Sequence, residues 1–176
     1  YFIPPKIWAW KESRLKSLMQ NSDMVLSILP FEEPWYASKG EQVHYVGNPL
    51  MEKYLDLNHY QADSKKIVLL PGSRLQEITR LMPVFNALAK ELTEYNFHVV
   101  RAPSVRSRWP KIVLQPNITI EDSEIVEVTK DAEFALTCSG TASLEIALLG
   151  IPQAVVYKAN SVSLAIAKRL VNVRFM

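Results

Sequence analysis

Residues 134–150 read FALTCSGTASLEIALLG, which is an apolar run, a turn of small residues and a second apolar pattern. The first run predicts a buried strand, and the apolar residues spaced three and four apart at the end predict a helix. The turn Ser139-Gly140-Thr141 lies where this helix begins, so backbone N–H groups without intrahelical partners gather at the positive end of the helix dipole. That geometry binds phosphate, although an ordinary helix cap formed by Ser139 or Thr141 explains the same residues.

A second loop of the same kind occurs earlier in the chain. Residues 67–70, IVLL, are apolar on both faces, as strands of a parallel sheet are, and they lead into the turn PGSR. Gly72 and Ser73 are small enough to let the backbone approach a ligand, and Arg74 adds a cation with the bidentate geometry that suits a diphosphate. Glu145, one turn into the later helix, is positioned to accept hydrogen bonds from ribose hydroxyls. The two loops together predict a site for a nucleotide diphosphate that needs no metal.

Strands and helices alternate along the chain, which predicts an α/β fold with a parallel, Rossmann-like sheet. Pro83 falls inside one helical pattern and predicts two helical pieces or a kink there. The polar residues 50–64 are interpreted as a linker or a domain boundary, with domains at 1–57 and 62–176. The predicted strands are 1–3, 24–29, 43–46, 67–70, 97–100, 118–120, 134–138 and 154–157, and the predicted helices are 11–21, 31–39, 75–92, 122–132, 141–148 and 161–170.

The composition is that of a globular protein, with 48% hydrophobic and 22% charged residues among 176. The net charge of +2 is too small to indicate nucleic acid as a partner. Cys138 is the one cysteine, so it forms no intrachain disulfide, and it is interpreted as a buried thiol. Three scattered histidines predict no metal site. Neither a P-loop nor a dinucleotide fingerprint is present, which argues against an NTPase or a nicotinamide enzyme.

Three further groups of residues have both a functional and a structural interpretation. Trp8 and Trp10 fit an acyl pocket or simple packing of aromatic rings. Glu32 and Glu33 follow a strand end, where acids usually interact with the helix dipole. The basic loop 101–111 fits either a solvated segment or a contact with anionic membrane headgroups. Its relevant side chains are Arg101, Arg106, Arg108, Trp109 and Lys111.

The order and spacing of several short motifs resemble those of the bacterial lipid-A-disaccharide synthases, which are glycosyltransferases of the two-domain GT-B type. The resemblance covers nearly the whole chain, and the ordered set is far more specific than any one motif. The motifs are Pro5-x-x-Trp8-Ala9-Trp10, Leu29-Pro30-Phe31-Glu32, Val46-Gly47-x-Pro49-Leu50, Leu69-Leu70-Pro71-Gly72-Ser73-Arg74-x-x-Glu77-Ile78, Ser139-Gly140-Thr141-Ala142-x-Leu144-Glu145, Gly150-x-Pro152 and Val155-Val156-Tyr157-Lys158.

The resemblance implies a reaction of lipid A, hence lipopolysaccharide, biosynthesis in a Gram-negative bacterium. A 2,3-diacylglucosamine moves from its UDP donor to 2,3-diacylglucosamine 1-phosphate, which gives the β-1′,6-linked disaccharide and UDP. Both substrates are the implied partners, no metal or other cofactor is implied, and the expected location is cytoplasmic, with peripheral contact with the inner membrane left open. Carried over residue by residue, the diphosphate contacts are Gly72, Ser73, Arg74, Ser139, Gly140 and Thr141, and the ribose contact is Glu145.

The resemblance also limits what can be assigned within this chain. Position 48 is Asn where the family usually shows His, so a role for that His does not transfer. The family's candidate catalytic base lies upstream of Tyr1, and no general base is assigned here. We expect the chain to be a fragment without both ends and inactive alone. Two alternatives stay open: another GT-B enzyme that uses UDP-GlcNAc, such as a peptidoglycan transferase or a 2-epimerase, and a non-catalytic nucleotide-binding module.

Overall fold

The computed structural model describes residues 1–54, 64–138 and 140–158. They belong to two compact units, of which the first contains residues 1–54 and the second residues 64–138 and 140–158. Three predictions concern residues outside this part of the chain: the exact boundary between 57 and 62, the role of Ser139, and the closing helix at 161–170.

The first unit is built around two short parallel strands, in which Leu26 pairs with His44 and Ser27 with Tyr45. The predicted strand at 1–3 is reduced to one isolated bridge, from Phe2 to Leu26. In chain order the elements are α1 (Ile7–Trp10), a 3-10 turn (Glu12–Arg14), α2 (Leu15–Gln20), β1 (Leu26–Ser27), α3 (Glu32–Ala37), β2 (His44–Tyr45) and α4 (Leu50–Tyr54). Their shared core consists of Ile7, Leu18, Val25, Tyr36 and Val43.

Helix α4 shows that the interpretation of residues 50–64 as a linker was wrong at its start. The Asn48 side chain accepts a hydrogen bond from the backbone N–H of Leu50 at 3.0 Å, which holds the chain as it enters the helix. At the other end Tyr54 is only 5% exposed. A helix of five residues, of which only Tyr54 is buried, is too short to show a helical period in the sequence.

Glu32, in the first turn of α3, is a buried structural residue. Its side chain is 1% exposed, and its two carboxylate oxygens accept hydrogen bonds from Trp8 Nε1 at 3.0 Å and from the Leu29 N–H at 3.1 Å. The Trp8 ring packs edge-on against Phe31, with ring centroids 4.8 Å apart, so Trp8 has a packing role. The interpretation of Glu32 as a mere dipole partner was therefore incomplete.

We expect Glu32→Ala to lower the free energy of unfolding by about 3 kcal/mol, because it leaves two half-buried N–H donors without an acceptor. Denaturant unfolding followed by tryptophan fluorescence measures this, since Trp8 and two more of the four tryptophans lie in the first unit. Glu33→Ala is the matched control, because the neighbouring carboxylate is exposed. Equal unfolding midpoints for the two variants would contradict the structural role.

The second unit contains a five-stranded sheet in which every neighbouring pair is parallel. The strand order is β5-β4-β3-β6-β7. This confirms the predicted α/β fold with a parallel sheet. The elements are β3 (Lys66–Leu70), α5 (Leu75–Glu91), β4 (Asn96–Val100), a 3-10 helix (Pro103–Arg108), β5 (Ile118–Glu121), α6 (Ile125–Thr129), β6 (Phe134–Thr137), α7 (Thr141–Leu148) and β7 (Gln153–Val155).

Both faces of this sheet are covered, which explains the continuous apolar run in β3. Ile67 and Leu69 belong to a core that also contains the buried face of α5 and its fully buried Phe85. Val68 and Leu70 point to the opposite face, where they join a second core with residues of α6 and α7. None of the helices in the described ranges is long and apolar enough to cross a membrane.

Of the two predicted possibilities at Pro83, two helical pieces or a kink, the first is wrong, because helix α5 continues through this residue. Proline removes one backbone hydrogen bond, here the bond to the carbonyl group of Thr79, and costs about 3 kcal/mol inside a helix. Pro83 lies on the exposed side, while the five buried residues of the helix pack on the sheet. Packing over the whole length of the helix outweighs the cost at one position.

Candidate nucleotide-binding site

The two predicted loops begin side by side at the centre of the five-stranded sheet. From β3 the chain moves outward through β4 to β5, whereas from β6 it moves the other way to β7. Open α/β sheets bind ligands at such a reversal, beyond the carboxyl ends of the strands. Leu70 and Thr137 pair in register, and the Cys138 N–H donates to the Leu70 carbonyl group at 2.8 Å.

The loop after β3 turns sharply at Gly72, whose φ of +100° falls in the region that favours glycine. Gly72 is half-buried, while Ser73 and Arg74 are exposed. Arg74 is the N-cap residue of α5 and makes no side-chain capping bond, so its guanidinium is directed elsewhere. Space beside Gly72 is filled, since a Cβ atom there would lie 2.4 Å from Glu77 Oε2.

Arg74 forms an ion pair with Glu77, three residues further on, at 2.8 Å. The hydrogen bond to Glu77, followed by the charge of that carboxylate, raises the pKa of Arg74 above its usual value. Arg74 is therefore a permanent cation.

The loop after β6 leads into α7 through Gly140, which has a φ of +135° and occupies the N-cap position. The predicted capping by Thr141 is wrong, because Thr141 is the first residue of the helix and Gly140 occupies the capping position. Glycine has no side chain that could cap the helix, and Thr141 is exposed. Ser139 lies outside the described residues. Glu145, half-buried, follows one turn into α7.

Gln153 in β7 holds the start of α7 against the end of β6. Its amide oxygen accepts a hydrogen bond from Thr137 Oγ1 at 3.0 Å, and its Nε2 donates to the Ser143 carbonyl group at 2.7 Å. Ser143 Oγ in turn donates to the Gly140 carbonyl group at 2.7 Å. No motif marks Gln153 as important, because its role depends on a partner ten residues away in sequence.

The ion pair in the first loop, by contrast, has a sequence signal, since Glu77 lies three residues after Arg74 at the start of a helix.

The basic segment 101–111 is tied to the body of the second unit and is not a simple solvated loop. It contains the 3-10 helix Pro103–Arg108. Asp122 bonds to Arg101 Nε at 2.9 Å and to Arg106 Nε at 3.1 Å. The hydrogen bond to Arg101 is the main reason why the pKa of Asp122 is lowered. Much of the positive charge of this segment is therefore paired within the protein.

Two remaining predictions concern cysteine and metal. Cys138 is 3% exposed and belongs to the core, which confirms the interpretation as a buried thiol. Within residues 1–54, 64–138 and 140–158, no group of three His, Cys, Asp or Glu side chains is arranged to hold a metal ion.

Comparison with known proteins gives matches along the whole chain. A family model described as lipid-A-disaccharide synthetase matches residues 1–176. The lipid-A-disaccharide synthase of Helicobacter pylori is 37% identical over 185 aligned positions, which cover 100% of this chain and 49% of that protein. The enzyme of the same name from Syntrophus aciditrophicus is 35% identical over 98% of this chain and 50% of its own length. The chain spans about half the length of the curated relatives it matches.

Among solved structures, the spinosyn rhamnosyltransferase SpnG aligns with 79% of this chain and 38% of its own. The sequence identity is 20% and the TM-score 0.46.

Proposed function

Because the chain belongs to the lipid-A-disaccharide synthetase family, we propose that its second unit binds the UDP part of the donor in lipid-A-disaccharide synthesis. In this reaction the bond between the anomeric carbon of 2,3-diacylglucosamine and the diphosphate breaks. A new bond forms between that carbon and the 6-hydroxyl oxygen of 2,3-diacylglucosamine 1-phosphate, which gives up its proton, and UDP leaves. The observation that carries the proposal is the register of Leu70 with Thr137, which starts both loops at one point of the sheet.

The leaving group of this reaction is a diphosphate, so stabilising its negative charge lowers the barrier. Arg74 supplies a permanent positive charge from one loop. The N-terminus of α7, which begins at Thr141 directly after Gly140, supplies backbone N–H groups and the positive end of a helix dipole from the other. We propose that these two groups, with Gly72, Ser73 and Ser139, hold the diphosphate and supply the stabilisation that a divalent ion provides in other enzymes.

We assign Glu145 to the ribose of UDP. It lies on α7 one turn beyond the residues assigned to the diphosphate, and a ribose is attached directly to that group. A carboxylate can accept hydrogen bonds from both hydroxyl groups of a ribose. Because every ribonucleoside has these hydroxyls, the selection of uridine has to come from other contacts. Gln153 supports this arrangement indirectly, because its bonds fix the first turn of α7 relative to β6.

We propose a cytoplasmic location with peripheral contact with the inner membrane. The support comes from the substrates: a UDP-sugar is made where nucleotides are available, and two acyl chains anchor a molecule stably in a bilayer. The enzyme then has to reach both substrates at the membrane surface. The basic segment 101–111 is a weaker candidate for that contact than its sequence suggests, since Asp122 pairs with two of its arginines.

Transfer catalysed by the full-length gene product is expected with the diacylated donor and acceptor, and not at a comparable rate with unacylated UDP-GlcNAc. The assay measures UDP release and disaccharide formation for both donors side by side. Equal transfer from both donors would contradict the lipid assignment. Conversion of UDP-GlcNAc without an acceptor would favour a 2-epimerase, and UDP binding without turnover of either donor would favour a non-catalytic module.

A further inference from the structure

Glu77 connects the two features of the first loop that the sequence singled out. One of its oxygens, Oε1, accepts a hydrogen bond from Arg74 at 2.8 Å. The other, Oε2, occupies the space beside Gly72, 2.4 Å from where a Cβ atom at that position would lie. The Glu77 side chain is 21% exposed and the Arg74 side chain 80%. A largely buried carboxylate thus holds a largely exposed cation.

We propose that Glu77 is a positioning residue that orients the Arg74 guanidinium for the diphosphate. An exposed arginine samples many rotamers, and each has to be given up when a ligand binds. The bond to Glu77 restricts these rotamers before binding and uses one terminal nitrogen, while the other N–H donors of the guanidinium stay available for phosphate oxygens. This inference rests on the proposed UDP site.

A purely structural role for Glu77 predicts different behaviour. Glu77 lies in the first turn of α5, where a negative charge interacts favourably with the helix dipole. Its loss would then lower stability and would affect every ligand of the unit alike. A positioning role instead makes the effect of Glu77 depend on Arg74 and on the phosphates of the ligand.

The first test compares Glu77→Ala with Glu77→Gln by titration of the full-length gene product with UDP and with uridine. Alanine removes the acceptor for Arg74, and we expect affinity for UDP to fall about tenfold, as for one lost hydrogen bond to a charged group. Affinity for uridine, which has no phosphate, should stay the same. Glutamine keeps an acceptor oxygen at the same reach and should restore UDP binding to within about threefold of wild type. Equal losses for UDP and uridine would overturn the proposal.

The second test is a double-mutant cycle with Arg74→Ala. If Glu77 acts through Arg74, then Glu77→Ala causes no further loss of UDP affinity once Arg74 is absent. Losses that multiply would show an independent, structural effect and would overturn the proposal. Glu127→Ala is the matched control, because Glu127 forms an ion pair of the same spacing with Lys130, at 2.7 Å, elsewhere on the unit. This control should leave UDP binding unchanged.

The same titrations separate this inference from the proposed function. If wild-type protein does not bind UDP, the proposed site is wrong and the role of Glu77 falls with it. If wild-type protein binds UDP and Arg74→Ala weakens it while Glu77→Ala does not, the site stands and only the positioning role is wrong.

Discussion

Replacing Arg74 with alanine is expected to weaken UDP binding about 100-fold, which corresponds to about 3 kcal/mol. Hydrogen bonds between arginine and phosphate are charge-assisted and frequently bidentate, so more than one bond is lost at once. The arginine side chain is exposed and makes no capping hydrogen bond to α5, so its loss should weaken ligand binding more than it lowers stability. Isothermal titration of the full-length gene product with UDP measures the effect.

Two further variants make this result specific. Arg74→Lys keeps the charge but loses the planar fork of donors, so its affinity for UDP should lie between those of wild type and Arg74→Ala. Arg80→Ala removes an exposed arginine from the same helix, α5, and should leave UDP binding unchanged. The assignment is wrong if Arg74→Ala and Arg80→Ala bind UDP equally well.

Replacing Gly72 with alanine is expected to weaken UDP binding at least tenfold and to lower the free energy of unfolding by about 1–3 kcal/mol. The φ of +100° is strained for alanine wherever the side chain points. In addition, the new Cβ atom would lie 2.4 Å from Glu77 Oε2, so the carboxylate has to move away and releases Arg74. Thermal unfolding and UDP titration of the same sample separate the two effects.

A second glycine provides the control for backbone strain. Gly40 has a φ of +77° and no atom within 4 Å of an added Cβ, and it lies in the first unit. Gly40→Ala should therefore lower stability by a similar amount without changing affinity for UDP. If Gly72→Ala destabilises the protein while UDP still binds at wild-type affinity, the link from Gly72 through Glu77 to Arg74 is absent.

The central part of the second unit could be predicted from sequence because its signals are local. The run IVLL in β3 is apolar on both faces, and the structure buries it between two cores. The two loops follow strands that the sequence already indicates, so their position at the carboxyl edge of a parallel sheet follows from the fold class. Their direct juxtaposition depends on strand order, which the structure supplies.

The errors arise where tertiary packing outweighs a local signal. Pro83 predicts two helical pieces or a kink, and the division into two pieces is wrong because the helix packs on the sheet and stays continuous. Helix α4 could not be predicted from sequence, because it has only five residues and the burial of Tyr54 is visible only in the structure. The structural role of Glu32 could not be predicted either, because the N–H groups that donate to its carboxylate belong to Trp8 and Leu29, outside its own helix.

The candidate site shows the same division. The sequence identifies three residues that follow strand ends, Arg74, Gly140 and Thr141. Their roles in ligand binding are predictions. Glu77 was part of a motif, yet its contact with Gly72 is visible only in three dimensions. Gln153 has no sequence signal at all, because its function is to join a strand to the first turn of the preceding helix.

The most direct test of the central claim is titration of the full-length gene product with UDP, for wild type, Arg74→Ala and Glu145→Ala in parallel. The claim is that the loops after β3 and β6 form one UDP site. It predicts that wild-type protein binds UDP and that substitutions at both loops weaken binding, by about 100-fold for Arg74 and about tenfold for Glu145. Wild-type binding that both substitutions leave unchanged would contradict it.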